Sequence, residues 1–145
     1  MNFVLDASVT MCWLLFDGKS TARAFALEVL DAMKQAATNA HVPLTWGLEV
    51  SNVIAKAEAR GLLTAAQSGA FIEMLESVNI AADSATFSKA LTDTLQIARR
   101  YRLSAYDASY LELALRESLP LATLDADLHK AAQKAGVKRF TGKVS

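Results

Sequence analysis

Asp6, Glu49, Asp107 and Asp125 occupy four separate stretches of the chain, VLDAS, LEVSN, YDASY and ATLDADL, and none of these stretches contains a Lys or Arg. Burying a carboxylate costs several kcal/mol unless something opposite compensates it. One divalent cation could compensate all four. Hard ions such as Mg²⁺ take oxygen ligands at ~2.0 to 2.1 Å and keep several waters, so a loose ring of carboxylates suits them better than a closed cage. Such an ion lowers the pKa of water and neutralises charge on a transferring phosphoryl group, which makes phosphodiester hydrolysis the natural chemistry. Without it, the four anions would repel one another and some would take up protons.

Two of the acids also have ordinary explanations. Ser104-x-x-Asp107 matches a capping box, and Asp125 could simply cap the last helix. Glu49 on an apolar helical face and Asp6 at a strand end have no equally good alternative. Other catalytic sets are not supported. His41 and His129 are far apart and sit at no zinc spacing, Cys12 has no partner base nearby, and there is no Gly-rich phosphate loop or GxSxG elbow. A haloacid-dehalogenase-like phosphatase would want a second Asp where Ser8 stands, and a receiver domain would want a mid-sheet acceptor Asp with a later Lys.

The elements that must position these acids alternate between short apolar runs and helical patterns. Phe3 to Leu5 reads as a buried parallel strand, with Ser8 as a helix cap just after it. A helical pattern covers Thr21 to Ala37, His41 to Leu44 is a second strand, and Thr45 is placed to cap the helix that carries Glu49 and ends at Gly61. Thr64 and Gln67 form a capping box for a helix to about Ser77. Asn79 to Ala81 is a third strand, and Asp83 caps a helix ending in Arg99, Arg100 and Arg102. Ser104 opens a helix to about Ser118, Pro120 to Leu124 is a fourth strand, Asp127 to Ala135 a last helix, and Val137 to Phe140 a fifth strand. Such alternation predicts right-handed crossovers and a parallel sheet covered on both faces. Ligands of these sheets collect at the carboxyl ends of the strands, near the switch in strand order. Asp6 and Asp125 fall at that edge, and Glu49 and Asp107 lie in the first turns of helices that could begin there.

At 145 residues, with 52% hydrophobic and 21% charged residues, the composition is that of a single folded domain, residues 1–145, able to bury ~70% of its unfolded surface. The longest apolar run falls far short of the ~18 residues that span a membrane. The single cysteine fits a reducing cytoplasm. Fifteen basic and fifteen acidic residues cancel, so local charge must decide on a nucleic-acid partner.

Four motifs in order, VLDASV, LEVSNVI, LSAYDASYLELAL and PLATLDADL, make the chain resemble PIN-domain proteins over nearly its whole length, and specifically VapC-type toxins of toxin–antitoxin pairs. The resemblance implies a three-layer α/β/α sandwich with a short parallel, Rossmann-like central sheet, and an endoribonuclease site dependent on Mg²⁺ or Mn²⁺. By motif match, Asp6, Glu49, Asp107 and Asp125 are its catalytic and metal-binding acids, and Ser8, Asn52 and Thr123 are supporting polar groups. Asp127 is a further candidate for that supporting set.

The resemblance also implies a homodimer and a cognate antitoxin whose tail occupies the groove beside the acids. Trp46, Val50, Ile54, Leu62, Leu63, Phe71 and Met74 would suit such an interface or an ordinary core. For the RNA substrate, Arg99, Arg100 and Arg102 precede the third acid, and Lys130 and Lys134 share a face of the last helix. Such groups can hold phosphates without reading sequence. Two other readings remain open: a PIN nuclease of RNA maturation without an antitoxin, and a non-catalytic domain that binds RNA or protein.

Overall fold

The computed structural model describes residues 1–16 and 18–142. Its first strand, β1 (Asn2–Leu5), buries Phe3, Val4 and Leu5 completely, so both faces of the strand must be covered. Helices α1 (Ala7–Cys12) and α2 (Ser20–Met33) lead to β2 (Asn39–Val42). Helices α3 (Trp46–Ala59) and α4 (Ala65–Glu76) lead to β3 (Ile80–Ala82). Then come α5 (Thr86–Lys89), a π-helical turn (Ala90–Thr94), α6 (Leu95–Tyr101), α7 (Ala105–Glu117), β4 (Leu121–Ala122) and α8 (Ala126–Ala135).

All strand pairs are parallel, in the order β3-β2-β1-β4. The chain moves outward from β1 through β2 to β3 and returns to the other side of β1 for β4. The strand order therefore switches between β1 and β4, and Asp6 and Thr123 follow those strands directly.

Alternation along β1 divides the core into two layers. Phe3 and Leu5 pack with Phe25, Val29 and Met33 of α2, and Phe3 stacks on Phe140 with ring centroids 3.9 Å apart. Val4 faces the other way, onto Tyr110, Leu111 and Ala114 of α7 and Leu128 of α8. Helix α7 is buried from Ala108 through Ala114, as a helix wedged between a sheet and further helices must be. The result is an α/β fold with an all-parallel sheet flanked by helices on both faces, the three-layer arrangement expected from the alternation of elements.

The capping box of α4 forms as expected, with Gln67 N–H donating to Thr64 Oγ1 at 3.1 Å and Thr64 N–H to Gln67 Oε1 at 2.9 Å. Several local expectations are corrected. Helix α2 stops at Met33 rather than Ala37, and β2 lies two residues earlier than expected, because Pro43 lacks the N–H that would continue the ladder. The helix expected between Asp83 and Arg102 is divided by the π-helical turn. The fifth strand is reduced to a single parallel bridge between Leu121 and Arg139. Ser8 does not cap α1, since Asp6 holds the N-cap position and Ser8 lies inside the helix. Thr45 holds the N-cap position of α3 without a side-chain capping bond.

Helix ends bear on the site as well. Gly136 closes α8 at φ 83, in the left-handed region where glycine costs least, whereas α6 ends on Arg102 at φ 54. Between β3 and α7, Arg116 donates to Glu112 and to both carboxylate oxygens of Asp83, 33 residues away in sequence. Burial alone would raise the Asp83 carboxyl, but the Arg116 guanidinium outweighs it and holds Asp83 below its usual range.

Candidate active site

Asp6 emerges from β1 in extended conformation and is 3% exposed. Two hydroxyls converge on one of its oxygens: Ser8 Oγ donates to Oδ2 at 2.6 Å and Thr123 Oγ1 at 2.7 Å. Each hydroxyl accepts in turn from the backbone after β4, Ser8 Oγ from Leu124 N–H at 3.0 Å and Thr123 Oγ1 from Asp125 N–H at 3.0 Å. The pairing of β4 with β1 thus fixes the rotamer of Asp6. Asp125 Oδ1 accepts from Leu128 N–H at 2.8 Å, so this acid does cap α8, with Oδ2 left over for another partner.

Glu49 enters from the first turn of α3, where Oε1 accepts from Tyr110 Oη at 3.0 Å. Tyr110 is fully buried on α7, one turn beyond Asp107. Asp107 starts α7, its own N–H donating to Ser104 Oγ at 3.1 Å. Four elements distant in sequence therefore deliver four carboxylates to one edge of the sheet.

The proximity shows in the protonation of Asp6, Glu49 and Asp107. Burial is the main cause that raises the Asp6 carboxyl, with a smaller push from Asp125, against the opposing hydrogen bonds from Ser8 and Thr123. Burial likewise raises Glu49, aided by the charges of Asp6 and Asp107 and opposed by Tyr110. Asp107 is pushed up to about 6 by burial and by Asp125 and Asp6. Burial and the charges of Asp6 and Glu49 keep the Tyr110 phenol protonated, so it can only donate to Glu49.

Asp83 is the instructive contrast. It is also shielded from water, but a guanidinium faces it and its carboxyl is lowered. Among the described residues, no Lys or Arg forms an ion pair with Asp6, Glu49, Asp107 or Asp125. The cluster lacks positive charge.

The donor set suits a hard divalent cation: every donor is oxygen and the charges are all negative. Beside Glu49, the buried Thr45 hydroxyl lies near enough to help lower that carboxyl, yet it completes no hydrogen bond of normal geometry. No three His, Cys, Asp or Glu side chains among the described residues stand together as a ready-made cage.

The remaining candidates divide. Ser8 and Thr123 orient Asp6. Asn52 is exposed on α3, one turn beyond Glu49, and Asp127 is exposed on α8, where its charge adds to the upward push on Asp107. Arg100, Arg102, Lys130 and Lys134 line one cavity of about 580 Å³ together with Tyr101 and Asp127, whereas Arg99 is exposed and does not line it. Of the suggested interface residues, Val50, Ile54 and Phe71 are buried in a third apolar cluster against α1, Trp46 and Met74 pack on that cluster, and Leu62 is exposed. The sequence reading missed Tyr110, which reads as a core aromatic until its hydroxyl is seen to reach Glu49. It also missed the Arg116 cluster, whose partners lie on different elements.

A family model for the PIN domain matches residues 3–134. The chain belongs to the PIN-domain family. PIN domains are in general nucleases that use divalent metals, so the activity, stated coarsely, is hydrolysis of nucleic acid. Among solved structures, this PIN domain is similar to PAE2754 from Pyrobaculum aerophilum, with a TM-score of 0.63 and 24% identity over 90% of this chain and 87% of that one. Likeness at that identity shows the shared fold alone. No curated protein matches this PIN domain at a significant level. No helix among the described residues is long and apolar enough to cross a membrane.

Proposed function

We propose that this PIN domain is a Mg²⁺- or Mn²⁺-dependent endoribonuclease, the toxin of a toxin–antitoxin pair acting in the cytoplasm. The observation that supports the catalytic part is the mutual influence of the four carboxylates with no cation paired to them, in contrast to Asp83, which pairs with Arg116. The toxin part rests on the four motifs in their order along the chain. A homodimer and an antitoxin tail lying beside the acids belong to the same reading.

Asp6, Glu49, Asp107 and Asp125 would hold the metal, which when bound supplies Lewis-acid activation of water and neutralises charge on the phosphate. Ser8 and Thr123 hold Asp6 in one rotamer, and Tyr110 holds Glu49. One of the four carboxylates would accept the proton of the water that attacks the phosphorus in line. The bond to the leaving 3′-oxygen breaks, giving 5′-phosphate and 3′-hydroxyl ends.

RNA cleavage with Mn²⁺ or Mg²⁺ tests the catalytic reading. Asp6→Asn and Asp107→Asn should each lower the rate roughly 10²-fold or more, and EDTA should stop it. Undiminished cleavage in both variants removes the site assignment. Growth arrest on expression, relieved by a small copurifying partner, separates a toxin from an RNA-maturation nuclease. Tight binding without metal-dependent turnover would identify a non-catalytic domain.

A further inference from the structure

We infer that the cavity between the end of α6 and the outer face of α8 is a phosphate-holding subsite, which grips the RNA strand next to the bond being cut. Arg100 and Arg102 come from the end of α6, and Lys130 and Lys134 from successive turns of α8, to line one space of about 580 Å³. None of these four cations is ion-paired among the described residues, whereas Arg116 of the same chain takes three carboxylates. Four cations and the single carboxylate of Asp127 share this one cavity, so its lining carries a net positive charge that an anion can occupy.

Helix-dipole attraction explains basic residues in the last turns of α6 and α8, but not Lys130 in the middle of α8 nor the shared cavity. Arg102 ends α6 in the left-handed region, as Ser118 ends α7. It adopts a left-handed backbone at φ 54, where glycine would cost less, and α3 and α8 do use glycine at their ends, Gly61 and Gly136.

The cavity adjoins the acids. Asp127 lines it and also acts on the charge of Asp107, and Arg102 lies two residues before Ser104, which caps the helix carrying Asp107. A strand whose scissile phosphate meets the acids would continue into the cavity, where the Arg100 guanidinium lies over the Tyr101 ring, 5.5 Å from its centroid. Asp127 stands between the two regions, where its charge repels a phosphate and so helps separate the scissile position from the held one.

The substrate class rests on the ribonuclease reading, so the test measures binding apart from cleavage. A fluorescein-labelled single-stranded RNA is titrated in EDTA at several salt concentrations, with anisotropy as the readout. Each cation lost should lower the slope of log affinity against log salt by about 0.7 and weaken binding about fivefold near 0.1 M salt, so Arg100→Gln/Lys134→Gln should lose about 1.4 in slope and about 25-fold in affinity. Lys56→Gln, on exposed α3, should bind as wild type. Arg102→Gly should weaken binding while its melting temperature holds or rises, a combination that a purely structural role cannot produce. Wild type that binds no RNA, variants that bind as tightly as wild type with an unchanged salt slope, or preference for poly-glutamate over RNA would each overturn the subsite. Loss of binding in these variants supports the subsite even where wild type shows no cleavage, which would instead count against the nuclease reading.

Discussion

Replacing Asp107 with asparagine should stabilise the metal-free protein at neutral pH, although it removes a residue of the proposed centre. The carboxyl titrates at about 6 when folded, against 3.8 when unconstrained, because burial and the charges of Asp125 and Asp6 oppose its ionisation. A folded pKa raised in this way contributes stability that is complete below 3.8 and is lost as pH rises through about 6. The full difference corresponds to about 3 kcal/mol. Asp107 is only half-buried, and solvent screening reduces this to about 1 to 2 kcal/mol. Asparagine also forgoes the attraction of a first-turn carboxylate to the helix dipole, ~0.3 to 1 kcal/mol, so the expected net gain is about 1 kcal/mol. Urea denaturation in EDTA at pH 7.5 should show this gain, worth about 2 to 4 °C in melting temperature. Wild type should lose stability between pH 4 and pH 6 more steeply than the variant. Saturating Mg²⁺ should reverse the order, since an ion at 100 times its dissociation constant stabilises wild type by about 2.7 kcal/mol and the variant by less. A variant less stable than wild type in EDTA at pH 7.5, or a flat wild-type profile from pH 4 to pH 6, would refute the reasoning.

Arg116→Met should cost about 3 to 5 kcal/mol in urea denaturation, because it strands Asp83 and the buried Glu112 without a counter-charge. Equal stability of variant and wild type would mean that water already compensates those acids. Tyr110→Phe removes the donor that lowers Glu49, so the Glu49 carboxyl should rise further and apparent Mg²⁺ affinity, read from thermal shifts, should fall most at low pH. Unchanged affinity from pH 5.5 to pH 8 would remove Tyr110 from the positioning of Glu49.

The sheet was legible because its determinants are local: VLD ends a buried run on a charge, and PLATLD does the same 119 residues later. Strand alternation with Glu49 and Asp107 in first helical turns allowed the acids to meet at one edge without requiring it. Ser8 was misread as a cap because its partners, Asp6 Oδ2 and the N–H of Leu124, are brought together only by the pairing of β4 with β1. The fifth strand failed for a related reason. Val137 to Phe140 has strand-like residues, but the chain closes through Phe140 stacking on Phe3, and only one bridge to Leu121 remains. The basic cavity was half visible as two separate clusters on α6 and α8, and their shared space depends on a packing angle that residue spacing does not encode.

The hydroxyls that hold Asp6 are themselves held by residues 123 to 125, with Thr123 lying 117 residues along the chain from Asp6. Until that segment has been made, the emerging chain carries three of the acids but neither Asp125 nor the full set of contacts that hold Asp6. A fragment that stops before Thr123 would therefore keep the Ser8 contact to Asp6 but lack both the Thr123 hydroxyl and the backbone N–H groups that hold the pair in place.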